Sequence, residues 1–433
     1  MFSKLHLVAM VSALSLLTAC GEDDIILPGE RFDIRPGTMT ENVARPLALP
    51  ATQANASWTH RNGGPAHVIT HPALGPDLRP LFVTEIGAGD SGGARITAHP
   101  VVAGGVIYTL DARTRVSATA TDGRLLWSRD LLPLSDRPGD ASGGGISYDG
   151  GQLAVTTGFG ELTLLDAATG ATIWVQDLDA PAYAPPTFRD DVIYAVARDS
   201  TAWALERDNG RIRWQQAGAP STANFSGGAA PAVFGEVVVL PFPSGEVLAT
   251  YPDGGIPRWR SVVSGDRLGN VAGLINDISG DPVISDGSVY VGNFGGRTVS
   301  FDLASGERNW TAAEGAVSAV WPVADAIFLI NDIGELVRLD RQSGDPVWRV
   351  ALPTFAADRN TRRQRNVVAH YGPVLAGGRL IVTSSDGLIR QFDPVSGASL
   401  ANVALPGGAA SGPVVAGGTL YVVSKDGRLH AFR

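Results

Sequence analysis

The regular separation of prolines and tryptophans limits the folds open to this chain more than any other feature. Six units have an apolar run that begins at a proline or glycine, with a tryptophan 26 to 29 residues later. These pairs are Pro100 and Trp127, Gly145 and Trp174, Pro186 and Trp214, Pro231 and Trp259, Pro282 and Trp310, and Pro322 and Trp348. A seventh unit runs from Pro373 to Ala401, and an eighth begins at Pro413 but stops early at Arg433. This period indicates a repeat architecture.

Each unit carries signals for four short β-strands. In the unit that starts at Pro282, apolar and β-branched runs are separated by turn residues such as Asp286-Gly287 and Asp302–Gly306. A four-stranded sheet has two faces to bury and two open edges, so it needs neighbouring sheets of the same kind. We therefore predict an all-β fold over residues 80–433, an eight-bladed β-propeller of four-stranded antiparallel blades.

The eighth unit lacks a fourth strand, so closing the ring requires a strand from upstream of Pro100. The nearest β run is Leu81–Ile86, in which Phe82 lies 18 residues before Pro100. Elsewhere 12 to 25 residues separate the end of one unit from the start of the next. We expect Phe82 to take the tryptophan position of the last blade and to pair beside the segment around Leu429.

Charge and cysteine content exclude some classes of function. The formal net charge of -9 argues against a surface that follows the phosphates of a nucleic acid. Cys20 is the only cysteine, so no disulfide can form within the chain.

The N-terminus has the pattern of a secreted, lipid-anchored protein. Lys4 provides a positive charge, and residues 7–17 form an apolar run too short to span a bilayer, so residues 1–19 are predicted to be a signal peptide. Leu17-Thr18-Ala19-Cys20 resembles the bacterial lipobox, which implies cleavage before Cys20 and its acylation with chains such as palmitate. An aspartate after that cysteine tends to retain such proteins in the inner membrane, whereas Gly21 implies the periplasmic face of the outer membrane.

Two further segments precede the propeller. Residues 20–56 are rich in proline and acidic residues and have no sustained period, which predicts a flexible tether. Residues 57–79 form an N-terminal extension whose pattern does not assign it to a blade.

The turn before the tryptophan identifies the type of repeat. Asp166–Trp174 has an Asp, a Gly and a Trp at spacings that recur in Asp302–Trp310 and Asp340–Trp348. This motif resembles the pyrroloquinoline-quinone-like propeller repeat, in which Asp and Gly form the turn and Trp wedges between blades. Together with the lipobox and the tether, the whole mature chain resembles the BamB family of lipoproteins of the outer-membrane β-barrel assembly machinery. Ile86–Gly89 and Pro28–Arg31 are similar to the alphaproteobacterial form of that family.

The resemblance implies a non-catalytic scaffold that binds BamA through its POTRA domains, joins the rest of the assembly complex and assists barrel insertion. Contact with nascent outer-membrane proteins is a further implication. The positions that match the partner-binding loops of the family are Ala223, Asn224, Phe225 and Ser226 before Pro231, and Asn276, Asp277 and Ser279 before Pro282.

Both of these loops should lie on one face of the ring. Each joins the fourth strand of one blade to the first strand of the next, so the two loops are expected to be neighbours. The other interpretation is structural, with Phe225 packed against the rim of the propeller and Asp277 forming a turn.

A third loop, after Trp348, is unusual for its positive charge. It contains four arginines within seven residues: Arg359, Arg362, Arg363 and Arg365. These side chains could make a second contact, with carboxylates of a partner or with headgroup phosphates. A solvated loop is the other interpretation.

Two other classes of function share this fold. Quinone-dependent dehydrogenases hold their cofactor and Ca²⁺ at the propeller axis, often beneath a vicinal cysteine pair that this chain lacks. The repeated carboxylates Asp166, Asp302, Asp340 and Asp393 mark turns, and His67 and His71 have no evident third ligand. We predict no catalytic residue, no cofactor and no metal site. A solute-binding or sensing periplasmic propeller lipoprotein is the remaining alternative.

Overall fold

The computed structural model describes residues 42–221, 227–265, 267, 275–356 and 366–433. Across these residues the chain forms 32 strands in eight four-stranded sheets, together with one short 3-10 helix at Arg61–Gly63. Adjacent strands within each sheet are antiparallel. The prediction of an all-β, eight-bladed propeller is confirmed.

The first strand of the chain is β1 (Pro80–Glu85), and blades 1 to 4 follow it in sequence. Blade 1 comprises β2 (Val101–Ala103), β3 (Val106–Leu110), β4 (Arg115–Ala120) and β5 (Leu125–Asp130). Blade 2 comprises β6 (Gly144–Asp149), β7 (Gln152–Thr157), β8 (Glu161–Asp166) and β9 (Thr172–Asp177). Blade 3 comprises β10 (Thr187–Arg189), β11 (Val192–Val196), β12 (Thr201–Glu206) and β13 (Ile212–Ala217). Blade 4 comprises β14 (Ala232–Phe234), β15 (Val237–Pro241), β16 (Glu246–Thr250) and β17 (Pro257–Val262).

The second half of the ring follows the same order until its last strand. Blade 5 comprises β18 (Val283–Ser285), β19 (Ser288–Gly292), β20 (Thr298–Asp302) and β21 (Arg308–Ala312). Blade 6 comprises β22 (Trp321–Val323), β23 (Ala326–Ile330), β24 (Glu335–Asp340) and β25 (Pro346–Ala351). Blade 7 comprises β26 (His370–Ala376), β27 (Arg379–Ser384), β28 (Leu388–Phe392) and β29 (Ser399–Ala404). Blade 8 comprises β30 (Val414–Ala416), β31 (Thr419–Ser424), β32 (Arg428–Phe432) and β1.

The ring closes through β1, which is the outermost strand of blade 8. Phe82 lies opposite Ala431 and Thr84 lies opposite Leu429 in an antiparallel pair with β32. The expected pairing of this segment beside Leu429 is therefore confirmed. The two ends of the propeller share one sheet, so no blade is left incomplete.

Tryptophans join neighbouring blades through the turn that precedes the next fourth strand. The indole N–H of Trp259 donates to the carbonyl of Leu303 in blade 5 at 2.9 Å. A Cβ added to Gly306, whose φ is +72°, would lie 2.5 Å from the Trp259 ring. In blade 8, Phe82 takes this position, since a Cβ on Gly123 of blade 1 would lie 2.8 Å from its ring. At these wedge positions an aromatic ring of one blade thus contacts a turn glycine of the next blade.

The N-terminal extension lies along the axis of the ring. Together with Asn55 and Ala56 at the end of the predicted tether, it contacts the first strand of a blade, or the turn after it, in all eight blades through residues 55–72. The blade residues in contact are Val102, Tyr148, Phe188, Val233, Ile284, Trp321, Gly377 and Gly417. Trp58 is 1% exposed, exchanges both backbone hydrogen bonds with Val102 and stacks on Trp321.

Part of the predicted tether also lies on the ring. The Val43 N–H donates to the Val347 carbonyl and the Arg45 N–H to the Val395 carbonyl, each at 3.3 Å. Leu47 and Leu49 pack against a core cluster that extends over blades 6, 7, 8 and 1. The structure differs from the expectation of a flexible tether from residue 42 onward, because this segment finds backbone and apolar partners on blades 6 and 7.

Candidate functional site

The antiparallel order of the blades puts the connections on two faces of the ring. Because successive strands reverse direction, loops from a fourth strand to the next first strand share a face with turns between second and third strands. We call this side the loop face and the opposite side the turn face. Gly377 and Gly417, which bond to the extension, lie in turns between first and second strands. The extension therefore lies toward the turn face.

A cavity of about 820 Å³ opens on the loop face, and we call it the loop-face funnel. Loops between neighbouring blades form its wall, including Thr97 before blade 1, Gly228 before blade 4 and Ser318 before blade 6. Arg61 of the extension also lines the cavity and forms its floor. The funnel is thus closed at its base by the chain's own N-terminal extension.

An ion pair ties this floor to two of the loops. Arg61 Nη1 donates to Asp281 Oδ1 at 2.9 Å and to the carbonyl of Gly228 at 3.2 Å. The Asp281 side chain is fully buried, and its Oδ1 also accepts the Ala230 N–H at 2.7 Å. A buried carboxylate is stable only when it is paired in this way. The pair holds the loops before blades 4 and 5 against the extension.

Two buried histidines of the extension stay neutral. Burial, with a smaller effect of His67, lowers the pKa of His60 to about 3. Burial also lowers the pKa of His67, which the charge of Asp281 opposes. His67 Nδ1 donates to the Pro282 carbonyl at 2.8 Å, and the Phe188 N–H donates to His60 Nε2 at 3.1 Å. Both rings therefore serve as hydrogen-bonding groups between the extension and the first strands.

The funnel wall carries charges of both signs. Asp90 is paired with Arg95 at 3.2 Å, and Arg390 donates to both carboxylate oxygens of Asp386. Burial tends to raise the pKa of Asp386, but the bonds from Arg390 outweigh it and lower the pKa. Lys425 also lines the funnel and is the only lysine after residue 19. Such a wall suits a polar protein surface better than an apolar ligand.

The second predicted contact loop is part of this wall. Asp277 and Ser279 both line the funnel. Asn276 is exposed, whereas Asp277 is only 4% exposed. Ser279 Oγ donates to the Ala316 carbonyl at 2.6 Å. Among these three residues only Asn276 is exposed, whereas Asp277 is buried and Ser279 bonds to the loop before blade 6.

The other predicted contact residues lie outside the described residues. These are Ala223, Asn224, Phe225 and Ser226, the arginines Arg359, Arg362, Arg363 and Arg365, and the lipidation site Cys20. The described residues that adjoin the two internal segments do line the funnel: Gly227 on one side, and Ala356 and Asn366 on the other. All three predicted contact loops are therefore connected to the same cavity.

The sequence patterns did not predict a short β-ladder near the arginine-rich loop. Phe355 pairs with Val367, and the Ala356 N–H donates to the Asn366 carbonyl at 2.9 Å. Val367 is 70% exposed and lines the funnel. The short apolar runs on both sides of the arginines, Phe355–Ala357 and Val367–Ala369, were the signal available for this ladder.

A buried charge network on the loop face was also not predicted. Arg267 donates to both carboxylate oxygens of Asp332, at 2.8 and 2.9 Å, and to Glu314 at 3.0 Å. Arg349 donates to the other oxygen of Glu314 at 2.8 and 2.6 Å. Hydrogen bonding to Asp332 raises the pKa of Arg267 despite burial. The network joins the loop before blade 5 to blade 6, so it helps to position the predicted contact loop.

The family of the chain follows from its sequence. The model of a protein family described as outer membrane protein assembly factor BamB matches residues 112–350 and 351–433, well over half of the chain. This chain belongs to the BamB family.

Individual relatives have low sequence identity to this chain, but the similarity covers most of its length. BamB of Bordetella pertussis is 26% identical over 346 residues, which cover 79% of this chain and 83% of that protein. BamB of Yersinia pestis is 25% identical over 326 residues, 74% of this chain and 80% of that protein. An uncharacterised protein of Rickettsia prowazekii is 24% identical and covers 69% of this chain and 73% of its own length.

Solved structures show that the BamB-family fold is shared with enzymes. The crystal structure of BamB from Moraxella catarrhalis has a TM-score of 0.68 at 20% identity and covers 82% of this chain and 100% of its own. A europium-containing methanol dehydrogenase has a TM-score of 0.66 at 13% identity and covers 85% and 89%. At these identities the likeness shows the fold alone.

The extension lies at the axis of the ring beside the first strands. Trp58, Pro65 and Ala66 form backbone hydrogen bonds with the first strands of blades 1, 4 and 5. In the described part of the chain, no three His, Cys, Asp or Glu side chains are grouped to hold a metal ion. No helix among the described residues is long and apolar enough to cross a membrane.

Proposed function

We propose that this protein is a non-catalytic scaffold lipoprotein of the outer-membrane β-barrel assembly machinery. In this proposal Cys20 is acylated and anchors the protein to the periplasmic face of the outer membrane. The loop face binds POTRA domains of BamA and so assists barrel insertion, with access to nascent outer-membrane proteins. Membership of the BamB family and the naming of its relatives as outer membrane protein assembly factors support this function.

One observation carries the choice of the loop face. Residues that belong to or adjoin all three predicted contact loops line a single funnel: Gly227, Asp277, Ser279, Ala356 and Asn366. This shared lining supports the proposal that loops far apart in sequence form one docking surface. Surfaces assembled from loops on a rigid scaffold are the usual place for recognition residues.

The contact loops before blades 4 and 5 also share a second, smaller niche. A cavity of about 30 Å³ is lined by Gly228, Asp277 and Ile278 together with Pro241 and Phe242 of blade 4. An apolar niche beside the polar funnel wall is the arrangement expected of an interface with an apolar core and a polar rim. We assign direct contact to Phe225 and Asn276, positioning roles to Asp277 and Ser279, and a second contact to the arginine-rich loop.

Recovery of BamA with this protein after detergent extraction tests the interface. Phe225→Ala combined with Asn276→Arg should lower the recovered BamA by at least about tenfold, because contacts at the centre of an interface dominate its affinity. Phe234→Arg is the matched control, since Phe234 is 57% exposed and ends the first strand of blade 4 at the turn face. Equal recovery from the loop-face variant and the control would refute the proposed interface.

Lys425 permits an independent test. It is the only lysine that remains after removal of residues 1–19, and acylation would block the N-terminal amine. A short amine-reactive cross-linker should join Lys425 to a POTRA domain, and Lys425→Arg should abolish the product. BamA that co-purifies without this cross-link would move the interface away from the funnel. Absence of BamA together with a stoichiometric quinone absorbance would instead favour the dehydrogenase alternative.

A further inference from the structure

Blade 6 contains a buried arginine where the other blades have an uncharged residue. Arg338 lies on the third strand opposite Trp348 of the fourth strand. The residues that face the corresponding position in the other blades are Ala118, Leu164, Ala204, Ala249, Ser300, Gln391 and Ala431. The Arg338 side chain is 1% exposed. A guanidinium at this depth requires acceptors nearby.

The closest acceptor comes from the N-terminal segment. Arg338 Nη1 donates to the Arg45 carbonyl at 2.6 Å, and Nη2 donates to the Pro46 carbonyl at 3.4 Å. Its other acceptors, Pro394 O and Asp325 Oδ1, are both at 3.4 Å. The backbone of residues 45–46 therefore supplies half of the acceptors of this buried cation.

The same segment is also held from outside. The Arg45 guanidinium lies 2.6 Å from Asp340 and 3.4 Å from Asp325. Asn42 bonds through its side-chain amide to both backbone groups of Arg349, at 2.8 and 2.9 Å. Residues 42–46 thus lie beside the outer edge of β25 and cross to the turn of blade 7, in the manner of an added strand.

Among the described residues, the hydrogen bond that a tryptophan N–H makes to the next blade is missing at the junction of blades 6 and 7. In five other blades the indole N–H of the tryptophan donates to a backbone carbonyl of the next blade, at 2.8 to 3.1 Å. This carbonyl belongs to the second residue of the turn between the third and fourth strands. The corresponding carbonyl for Trp348 is that of Pro394, which accepts from Arg338 instead. Trp348 Nε1 has no hydrogen-bond partner in the described part of the chain.

We propose that residues 42–46 are a latch that fixes the N-terminal tether to the outer edge of blade 6, with Arg338 as the residue that receives it. The consequence for reach rests on the proposed lipid anchor at Cys20. The 25 residues from Cys20 to Arg45 span at most about 85 Å, whereas the 33 residues from Cys20 to Gln53, which forms the next backbone bonds to the extension, would span about 110 Å. The latch therefore shortens the tether by about a quarter and makes blade 6 the part of the ring nearest the anchor.

Proteolysis of the mature chain tests the latch without membrane or partner. Arg338→Leu introduces the residue that blade 2 has at this position, Leu164, so the blade can still fold. Thermolysin should cut next to Leu47 and Leu49 at least about tenfold faster than in the parent, because the segment loses its charged hydrogen bonds. Arg45→Ala should accelerate the same cuts, and Arg213→Leu on blade 3 should not.

Two results would overturn the proposal. Unchanged cleavage in Arg338→Leu would show that this side chain does not hold the segment. A lowered thermal midpoint with new cuts inside the blades would show that Arg338 stabilises the blade rather than the latch. Neither result depends on BamA, so failure here is distinguishable from failure of the proposed scaffold function.

The effect on reach is measured on vesicles. A dye on Gln342→Cys, in the exposed turn of blade 6, reports energy transfer to labelled lipid headgroups when the protein is acylated. Arg338→Leu should lower this transfer, because the tether gains about eight residues, up to the backbone bonds of Gln53. Equal transfer in the two proteins would refute the role of the latch in positioning the propeller.

Discussion

Acid should destabilise this propeller through the histidine at its axis. His60 is 2% exposed, its Nε2 accepts the Phe188 N–H at 3.1 Å, and its Nδ1 lies 2.9 Å from Thr59 Oγ1. An imidazolium has two N–H donors and no acceptor. In protonated His60 the Nε2–H would therefore face the Phe188 N–H, and the hydrogen bond between them would be lost. Burial accordingly lowers the pKa of His60 to about 3.

The size of the effect follows from proton linkage. In the unfolded chain His60 has a pKa of about 6.5, so between pH 6.5 and 3 the unfolded state binds more protons than the folded state. Its contribution to stability is present above pH 6.5 and is lost as the pH falls. Lowering the pH from 7.5 to 5 should remove about 2 kcal/mol of the free energy of unfolding through this single side chain.

Urea unfolding followed by tryptophan fluorescence at the two pH values measures this loss. In His60→Gln the side-chain oxygen can still accept the Phe188 N–H but cannot titrate, so the loss between pH 7.5 and 5 should be about 2 kcal/mol smaller than in the parent. The other histidines and the carboxylates are common to both proteins and cancel in the comparison. An identical pH dependence in parent and variant would refute a neutral, buried His60.

Two further predictions concern the ring itself. Phe82→Ala should cost about 2 kcal/mol because its half-buried ring packs on blade 1, whereas Leu81→Ala, 52% exposed on the same strand, should cost under about 0.5 kcal/mol; similar costs would mean that Phe82 does not close the ring. Gly306→Ala and Gly287→Ala change glycines with φ of +72° and +75°, but only the first Cβ would collide, with Trp259. Thermal unfolding should therefore show Gly306→Ala to be less stable than Gly287→Ala by about 1 to 3 kcal/mol, and equal midpoints would argue against the wedge.

The candidate site could be predicted in part from connectivity. The loops before Pro231 and Pro282 each join a fourth strand to a first strand. Because an even number of antiparallel strands lies between them, the two loops share a face. The role of each side chain was not accessible in this way. Asp277 is buried and Asn276 is exposed, although both are polar neighbours in one loop. That difference depends on what the loop packs against, and no local pattern reports it.

The sequence by itself determined the number of blades and the closing strand. Turn residues act over a few positions and recur in every unit, and wedge aromatics recur in all units but the seventh, so counting them counts the sheets. Only the tertiary structure decided that the extension fills the axis, that residues 42–46 lie on blade 6 and that Arg338 is buried beneath them. The Arg338 contact with Arg45 spans 293 positions and uses a backbone carbonyl. Every residue has such a carbonyl, so its partner depends on the folded ring and leaves no mark in the local sequence.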